Sequence, residues 1–219
     1  MLLTPRNALG CSLYLITPLL SAANGDAFAR IFAEVVEAAA IACALVRLAP
    51  MTQTDARSVV APILRAAIAA DCAILIENDG RLAARLGADG VHVKGAGPDL
   101  VAAVDSLKPE RIVGAGSLRT RDEAMTAGEV GADYVMFGES CRGAPTMELK
   151  PLIERVGWWA EIFETPCVAY AETIAAAGAL AEAGADFVAL GDAIWSRPSP
   201  GEAAREAEAM VAGFGAKVT

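Results

Sequence analysis

The chain has 219 residues, 55% apolar and 21% charged, with a formal net charge of −9, which suits one buried core and excludes a disordered segment of low hydrophobicity. No cluster of five or more basic residues offsets the acidity, so phosphate backbones and anionic headgroups are repelled, and nucleic acid and membrane surfaces are excluded as partners. Five scattered cysteines without a CxxC pair, and one histidine, His92, exclude a zinc or disulfide framework.

Cysteines in apolar settings such as Ala42-Cys43-Ala44 read as buried thiols in a reducing compartment, hence a cytoplasmic location. Ala8-Leu9-Gly10-Cys11 has the outline of a lipoprotein cleavage site, but no apolar stretch of roughly 7–15 residues precedes it. The apolar run from Leu13 to Leu20 contains Pro18 and falls far short of the ~20 residues of a membrane span.

In chain order, the first strand is predicted at Ser12–Ile16, with Asp26 capping a helix to about Ala40. Strand two is Ala42–Arg47, followed by a helix from Thr54 to Ala70; strand three is Cys72–Ile76, with a short helix Arg81–Leu86. Strand four is Gly90–Val93, then a helix Pro98–Leu107; strand five is Ile112–Ala115, then Arg121–Val130. Strand six is Tyr134–Phe137 with a helix near Leu149–Phe163; strand seven is Cys167–Tyr170, leading into Glu172–Ala183. Strand eight is Phe187–Leu190, before a last helix Gly201–Phe214. The strands are apolar throughout, as burial on both faces requires. Eight strand–helix units with short connections predict a single-domain α/β fold, a (β/α)8 TIM barrel over 1–219, rather than an open sheet of five or six strands.

A repeat links the units. Gly87-Ala-Asp-Gly-Val91, Gly131-Ala-Asp-Tyr-Val135 and Gly184-Ala-Asp-Phe-Val188 each close a helix on glycine, turn on aspartate and open a strand on valine. They fall on the bottom face, where such signals read as stability.

Chemistry is expected at the C-terminal ends of the strands. Those ends carry Thr17, Arg47, Asn78-Asp79, His92 with Lys94, Ser117 with Arg119, Glu139, Tyr170 to Glu172, and Gly191-Asp192. Asn78-Asp79-Gly80 reads either as an oxygen-donor pair for substrate or Mg²⁺, or as a turn with a helix cap. His92 reads either as a pocket group or as a satisfied core imidazole. Trp158-Trp159 and Trp195 read either as packing between helices or as a homodimer surface.

The sequence resembles the thiamine phosphate synthase/TenI family. The resemblance rests on Leu13-Tyr-Leu-Ile-Thr17, Ile74-Leu-Ile-Glu-Asn78-Asp79 with Leu86-Gly-Ala-Asp-Gly-Val-His92, Ile112-Val-Gly-Ala-Gly-Ser117 with Gly131 to Gly138, and Gly184 to Ile194, in family order over most of the chain. It implies a transferase of thiamine biosynthesis that joins a pyrimidine diphosphate to a thiazole phosphate with Mg²⁺. It carries diphosphate and metal binding to Asn78 and Asp79, Asp79 being the metal ligand, and the post-strand-five serine to Ser117.

Departures from the family pattern are equally specific. Of its Gln-x-Arg-x-Lys motif only Arg47 matches, within Leu45-Val-Arg47-Leu-Ala49. The second metal aspartate has no counterpart in register, Asp99 lying two residues too far along. The Thr-x-Thr-Lys loop is replaced by Glu139-Ser-Cys-Arg142, and the tautomerase histidine by Arg119, whose guanidinium stays protonated. Glu172 and Asp192 stand in the turns that would hold the thiazole phosphate, with Gly191 offering a backbone N–H.

Ser117, Arg119 and Glu139 are therefore the candidate catalytic residues, and Arg47, Asn78, His92, Glu172, Gly191 and Asp192 the candidate ligand contacts. Three readings follow: a member with a degenerate site that binds a small metabolite of the thiamine pathway, phosphorylated or not, or runs a diverged reaction; an active synthase coupling pyrimidine diphosphate to thiazole phosphate; and a non-catalytic ligand- or partner-binding paralogue.

Overall fold

A computed structural model of the chain describes residues 10–139 and 147–214. Eight parallel strands close into a barrel in sequence order, β1(Ser12–Leu20), β2(Ile41–Leu48), β3(Ala73–Glu77), β4(Gly90–Lys94), β5(Ile112–Gly116), β6(Tyr134–Phe137), β7(Cys167–Ala171) and β8(Phe187–Leu190), with β8 pairing back to β1. Around them lie α1(Gly25–Ala38), α2(Gln53–Ala69), α3(Gly80–Leu86), α4(Pro98–Leu107), α5(Arg121–Val130), α6(Leu149–Ile162), α7(Ile174–Glu182), α8(Asp192–Trp195) and α9(Pro200–Val211).

Alternation along each strand divides the apolar residues between two cores. Tyr14, Cys43, Leu45, Leu75, Tyr134, Met136, Val168 and Phe187 fill the barrel interior. Leu13, Leu15, Val46, Ile74, Ile76, Val113, Val135 and Val188 face outward, beneath helix residues such as Phe32, Val60, Leu100 and Trp159. This two-sided burial explains the unbroken apolar runs in the sequence.

The three Gly-Ala-Asp repeats close the bottom of the barrel. Gly87, Gly131 and Gly184 have φ of 77°, 99° and 103°, a region where a side chain would be strained. The carboxylates of Asp89, Asp133 and Asp186 each accept the backbone N–H of a neighbouring strand's start, from Ile74, Val113 and Cys167, all at 2.8 Å. In return the N–H of each aspartate donates to the carbonyl of the same residue. Asp133 also holds Lys108 Nζ at 2.7 Å. Asp133→Ala leaves the buried Val113 N–H unsatisfied and should destabilise the fold by roughly 1–3 kcal/mol, read as a lower urea midpoint with the same slope.

The boundaries shift for local reasons. α1 begins after Asn24 rather than at a capping Asp26; Asn24 turns its amide oxygen back to the Ser21 N–H (2.7 Å), and Asp26 sits in the first turn. Thr173 caps α7 by accepting the Ala176 N–H, so Glu172 belongs to the loop after β7 and not to the helix. α8 is one turn long, too short to show periodicity in sequence.

The tryptophans pack within the protomer. Trp159 is buried, stacks on Phe163 at 4.0 Å and donates Nε1–H to the Thr165 carbonyl. Arg121 lies 4.5 Å over the Trp158 ring. Trp195 donates to the Ile16 carbonyl at 2.7 Å with its ring edge against Phe28. Among the described residues, no helix is long and apolar enough to cross a membrane.

Candidate functional site at the barrel mouth

The alternation that puts Leu45, Leu75, His92 and Val168 inside the barrel brings Arg47, Glu77, Lys94 and Tyr170, each two residues farther along, to the inner rim at the C-terminal end. Here a carboxylate clasps two cations. Lys94 Nζ lies 2.8 Å and Arg47 Nε 3.4 Å from the same oxygen of Glu77. The Arg47 contact is purely electrostatic, because its buried Nε lacks hydrogen-bond geometry among the described residues.

Beneath this clasp a polar chain runs along the interior. The Tyr14 and Tyr134 hydroxyls meet at 2.9 Å, and the Tyr134 hydroxyl lies 2.8 Å from His92 Nδ1. His92 Nε2 is 3.4 Å from Glu139 Oε1, which also accepts the Ser117 hydroxyl at 3.0 Å. The His92 side chain is fully buried and that of Glu139 only 7% exposed. Burial pushes the Glu139 carboxyl up, but the charge and hydrogen bond of His92, the Ser117 hydroxyl and Lys94 together outweigh it and hold the group below the usual carboxylate range. Burial is likewise the main reason that both tyrosines are raised well above the ordinary phenol value, so they stay protonated.

Glycines on β5 make room for these groups. A Cβ at Gly114 would overlap the Tyr134 ring, and one at Gly116 would overlap the Glu139 carboxylate and the His92 ring. Directly after them Ser117 adopts φ 56°, a conformation that non-glycine residues rarely hold and that clusters at functional sites.

Four of the sequence-predicted residues thus converge: Arg47 at the clasp, and His92, Ser117 and Glu139 in the interior chain. His92 belongs to both alternatives posed for it, being a fully hydrogen-bonded core imidazole and also the floor of the mouth. Asn78, at φ 58°, ties β3 to β4: its side-chain oxygen accepts the Lys94 N–H at 2.9 Å, while its N–H donates to the His92 carbonyl. Asp79 caps α3 by accepting the Leu82 N–H at 2.8 Å.

Arg119 is exposed, and its described contacts are made by its backbone: the N–H donates to Glu123 and the carbonyl accepts from Arg155. Glu172 and Asp192 are exposed, Asp192 in the first turn of α8. Burial first, then their charges, raises the half-buried Tyr170 hydroxyl, whereas Arg47 pulls it down. Tyr170 in turn lies against Gly191. Arg142 and Cys141 lie outside the described residues.

The fit for Mg²⁺ is poor. One Asp79 oxygen and the Asn78 oxygen are engaged by backbone N–H groups. Asp79 and Asp99 do line a common cleft of about 670 Å³ between α3 and α4. Even so, no group of three or more His, Cys, Asp or Glu side chains converges to hold a metal among the described residues.

Glu77, Tyr14 and Tyr134 were not singled out from sequence. The signal was there for Glu77: once Leu75 is assigned inward, the residue two along must reach the same face.

Comparison with known proteins places the chain in a family. A family model described as thiamine monophosphate synthase matches residues 13–194. The chain belongs to that family. A thiamine-phosphate synthase of Rhodospirillum centenum is 37% identical over 194 residues, covering 86% of this chain and 91% of that one. One of Hyphomonas neptunium is 33% identical over 205 residues, covering 90% and 92%. Among solved structures, the thiamine phosphate pyrophosphorylase of Pyrococcus furiosus superposes with a TM-score of 0.78 at 21% identity, over 93% of this chain and 96% of that one. A 3-hexulose-6-phosphate synthase superposes at 0.72 and 20%, over 91% and 99%. The last two likenesses concern the fold alone. Leu45, at the position where the resemblance expects a glutamine, is buried in the barrel interior, and Arg47 faces Glu77.

Proposed function

We propose that this member of the thiamine monophosphate synthase family binds a small metabolite whose inserted end is neutral or positively charged. On this reading it does not carry out the diphosphate-displacing coupling after which its relatives are named. The observation that supports it is the Glu77 clasp. Arg47 and Lys94, the inner-rim cations available to a diphosphate, are both turned onto one carboxylate. Glu139 lies beneath them, and Glu172 and Asp192 follow β7 and β8.

A diphosphate would have to displace Glu77 and then meet its charge. At about 4 Å and an effective dielectric constant near 20, each like-charge pair opposes binding by about 4 kcal/mol. The hydrogen bonds at Asn78 and Asp79 likewise argue against a resident Mg²⁺, so no step is routed through the ion. A cytoplasmic location agrees with the buried cysteines Cys11, Cys43, Cys72 and Cys167 among the described residues. If a homodimer forms, it must use surfaces other than the inward-packed tryptophans.

A second reading, an active synthase, is favoured by the near full-length similarity to relatives named thiamine-phosphate synthase, and by Arg47, Asn78, Asp79 and Ser117 at the positions that the resemblance assigns. Calorimetric titration with inorganic pyrophosphate, with and without Mg²⁺, separates the two. The proposal expects weak binding by the wild-type protein and at least tenfold tighter binding by Glu77→Gln, which frees both cations. Tight wild-type binding, or no gain in the variant, would remove it.

A further inference from the structure

The interior chain has a property that a merely structural network does not need. Its central imidazole can be neutral or charged without stranding a buried polar group. In the neutral form, Nε2–H points at Glu139 and Nδ1 accepts the Tyr134 hydroxyl proton. In the charged form, Nδ1–H donates to the Tyr134 oxygen, the Tyr134 hydroxyl turns to Tyr14, and the Tyr14 hydroxyl turns towards Cys43, its pairing partner across β1 and β2. Each hydroxyl both donates and accepts, so rotation about two C–O bonds exchanges the two arrangements. Networks satisfied in only one protonation state resist titration, because burying an unmatched donor or acceptor costs the full desolvation penalty. This one is satisfied in both.

We propose that Glu139 and His92 form a proton-accepting couple at the barrel mouth, acting as general base toward an acidic O–H, N–H or C–H of a ligand seated beside Ser117. The X–H bond of the ligand breaks, its electron pair stays on X, and the proton passes to the Glu139–His92 pair, which goes from net negative to net neutral. Returning the proton to the ligand restores the pair, with no oxidant or reductant involved. Ser117 is the positioning hydroxyl, held at φ 56° with its proton on Glu139 Oε1. Among the described residues no hydrogen bond reaches Glu139 Oε2, the oxygen open to the ligand.

The charged and titratable groups of the described interior and rim are Tyr14 on β1, Cys43 and Arg47 on β2, Glu77 on β3, Lys94 on β4, Tyr134 on β6, Tyr170 on β7 and Asp192 after β8. Lys94 is paired with Glu77, and both interior tyrosines stay protonated, leaving Glu139 as the carboxylate that faces the ring.

The ligand side of this inference rests on the mouth being a binding site, but its test does not. His92 is the only histidine of the chain, so ¹⁵N-histidine labelling of the untagged protein gives one imidazole to follow. The neutral ring should show a protonated Nε2 and an accepting Nδ1, and acidification should protonate Nδ1. Glu139→Gln should lower the proton affinity of the ring at least tenfold. Tyr134→Phe, which keeps the carboxylate but removes the switchable hydroxyl, should lower it severalfold. A ring fixed in one protonation state from pH 5 to 9, or a titration identical in the wild type and both variants, would overturn the couple while leaving the pyrophosphate result untouched.

Discussion

Replacing His92 by leucine should destabilise the protein by about 3–5 kcal/mol near neutral pH, because it leaves the buried Glu139 carboxylate without its imidazole partner. Glu139 would keep the Ser117 hydroxyl but lose the His92 donor and charge that counter its burial, and its carboxyl would move up. The sign of the pH dependence follows. In the wild-type protein the folded carboxyl is held below its unfolded value. Its stabilising contribution is therefore present above the unfolded value and is lost as the pH falls through the folded one. In His92→Leu the folded carboxyl lies above the unfolded value, so the deficit is largest at neutral pH and shrinks on acidification as Glu139 takes up a proton. The double variant His92→Leu/Glu139→Gln removes the stranded charge and should recover more than half of the loss. Urea unfolding at two pH values reads both effects. A deficit that does not change with pH, or a double variant no more stable than the single one, would mean that the loss of His92 strands no buried carboxylate charge.

Adding one methyl group at Gly114 should be nearly as disruptive. Its Cβ would occupy the space of the Tyr134 ring. The overlap is with a ring closed in by His92 and Tyr14, not with a flexible chain end. Overpacking in a filled core typically costs 1–3 kcal/mol, and the rigidity of this neighbourhood puts Gly114→Ala at the upper end, about 3 kcal/mol. The same change should displace the Tyr134 hydroxyl from His92 and alter the imidazole resonance. Combining Gly114→Ala with Tyr134→Ala tests the cause. Tyr134→Ala alone removes a buried ring at about 3–5 kcal/mol, yet the double variant should be less destabilised than the sum of the two by more than 1 kcal/mol. Strict additivity in unfolding free energies would contradict the steric account.

These two experiments concern the part of the molecule that was hardest to read. The barrel itself was legible: eight apolar runs at regular spacing, each followed by helical periodicity, leave little alternative to a closed parallel sheet. The Gly-Ala-Asp repeats marked its floor. Helix ends moved by a few residues where capping was decided by side-chain direction, as at Asn24 and Thr173. The one-turn helix α8 gave no periodic signal at all.

For the site, sequence supplied the correct strand ends but not the partnerships across them. Glu77 was visible as a letter beside Asn78, and only the closed ring brings it to Lys94 and Arg47. His92 could be read as core or pocket because both descriptions are true of a residue beneath a mouth. The interior tyrosines sit within apolar strand runs, and nothing local tells that Tyr14 and Tyr134, 120 residues apart, join their hydroxyls. Even the space they use was encoded at a distance, by Gly114 and Gly116 on a neighbouring strand. Asn78 and Asp79 illustrate the converse: a motif that pointed to ligands also holds backbone N–H groups, through one side-chain oxygen of each.

The most direct measurement is a coupling assay with pyrimidine diphosphate, thiazole phosphate and Mg²⁺ at high enzyme concentration, following thiamine phosphate and released pyrophosphate together. A mouth whose two inner cations are both engaged by Glu77 should yield neither product above the rate without enzyme. Sustained turnover, with both products appearing in equal amounts, would show that a diphosphate enters and is stabilised despite that carboxylate.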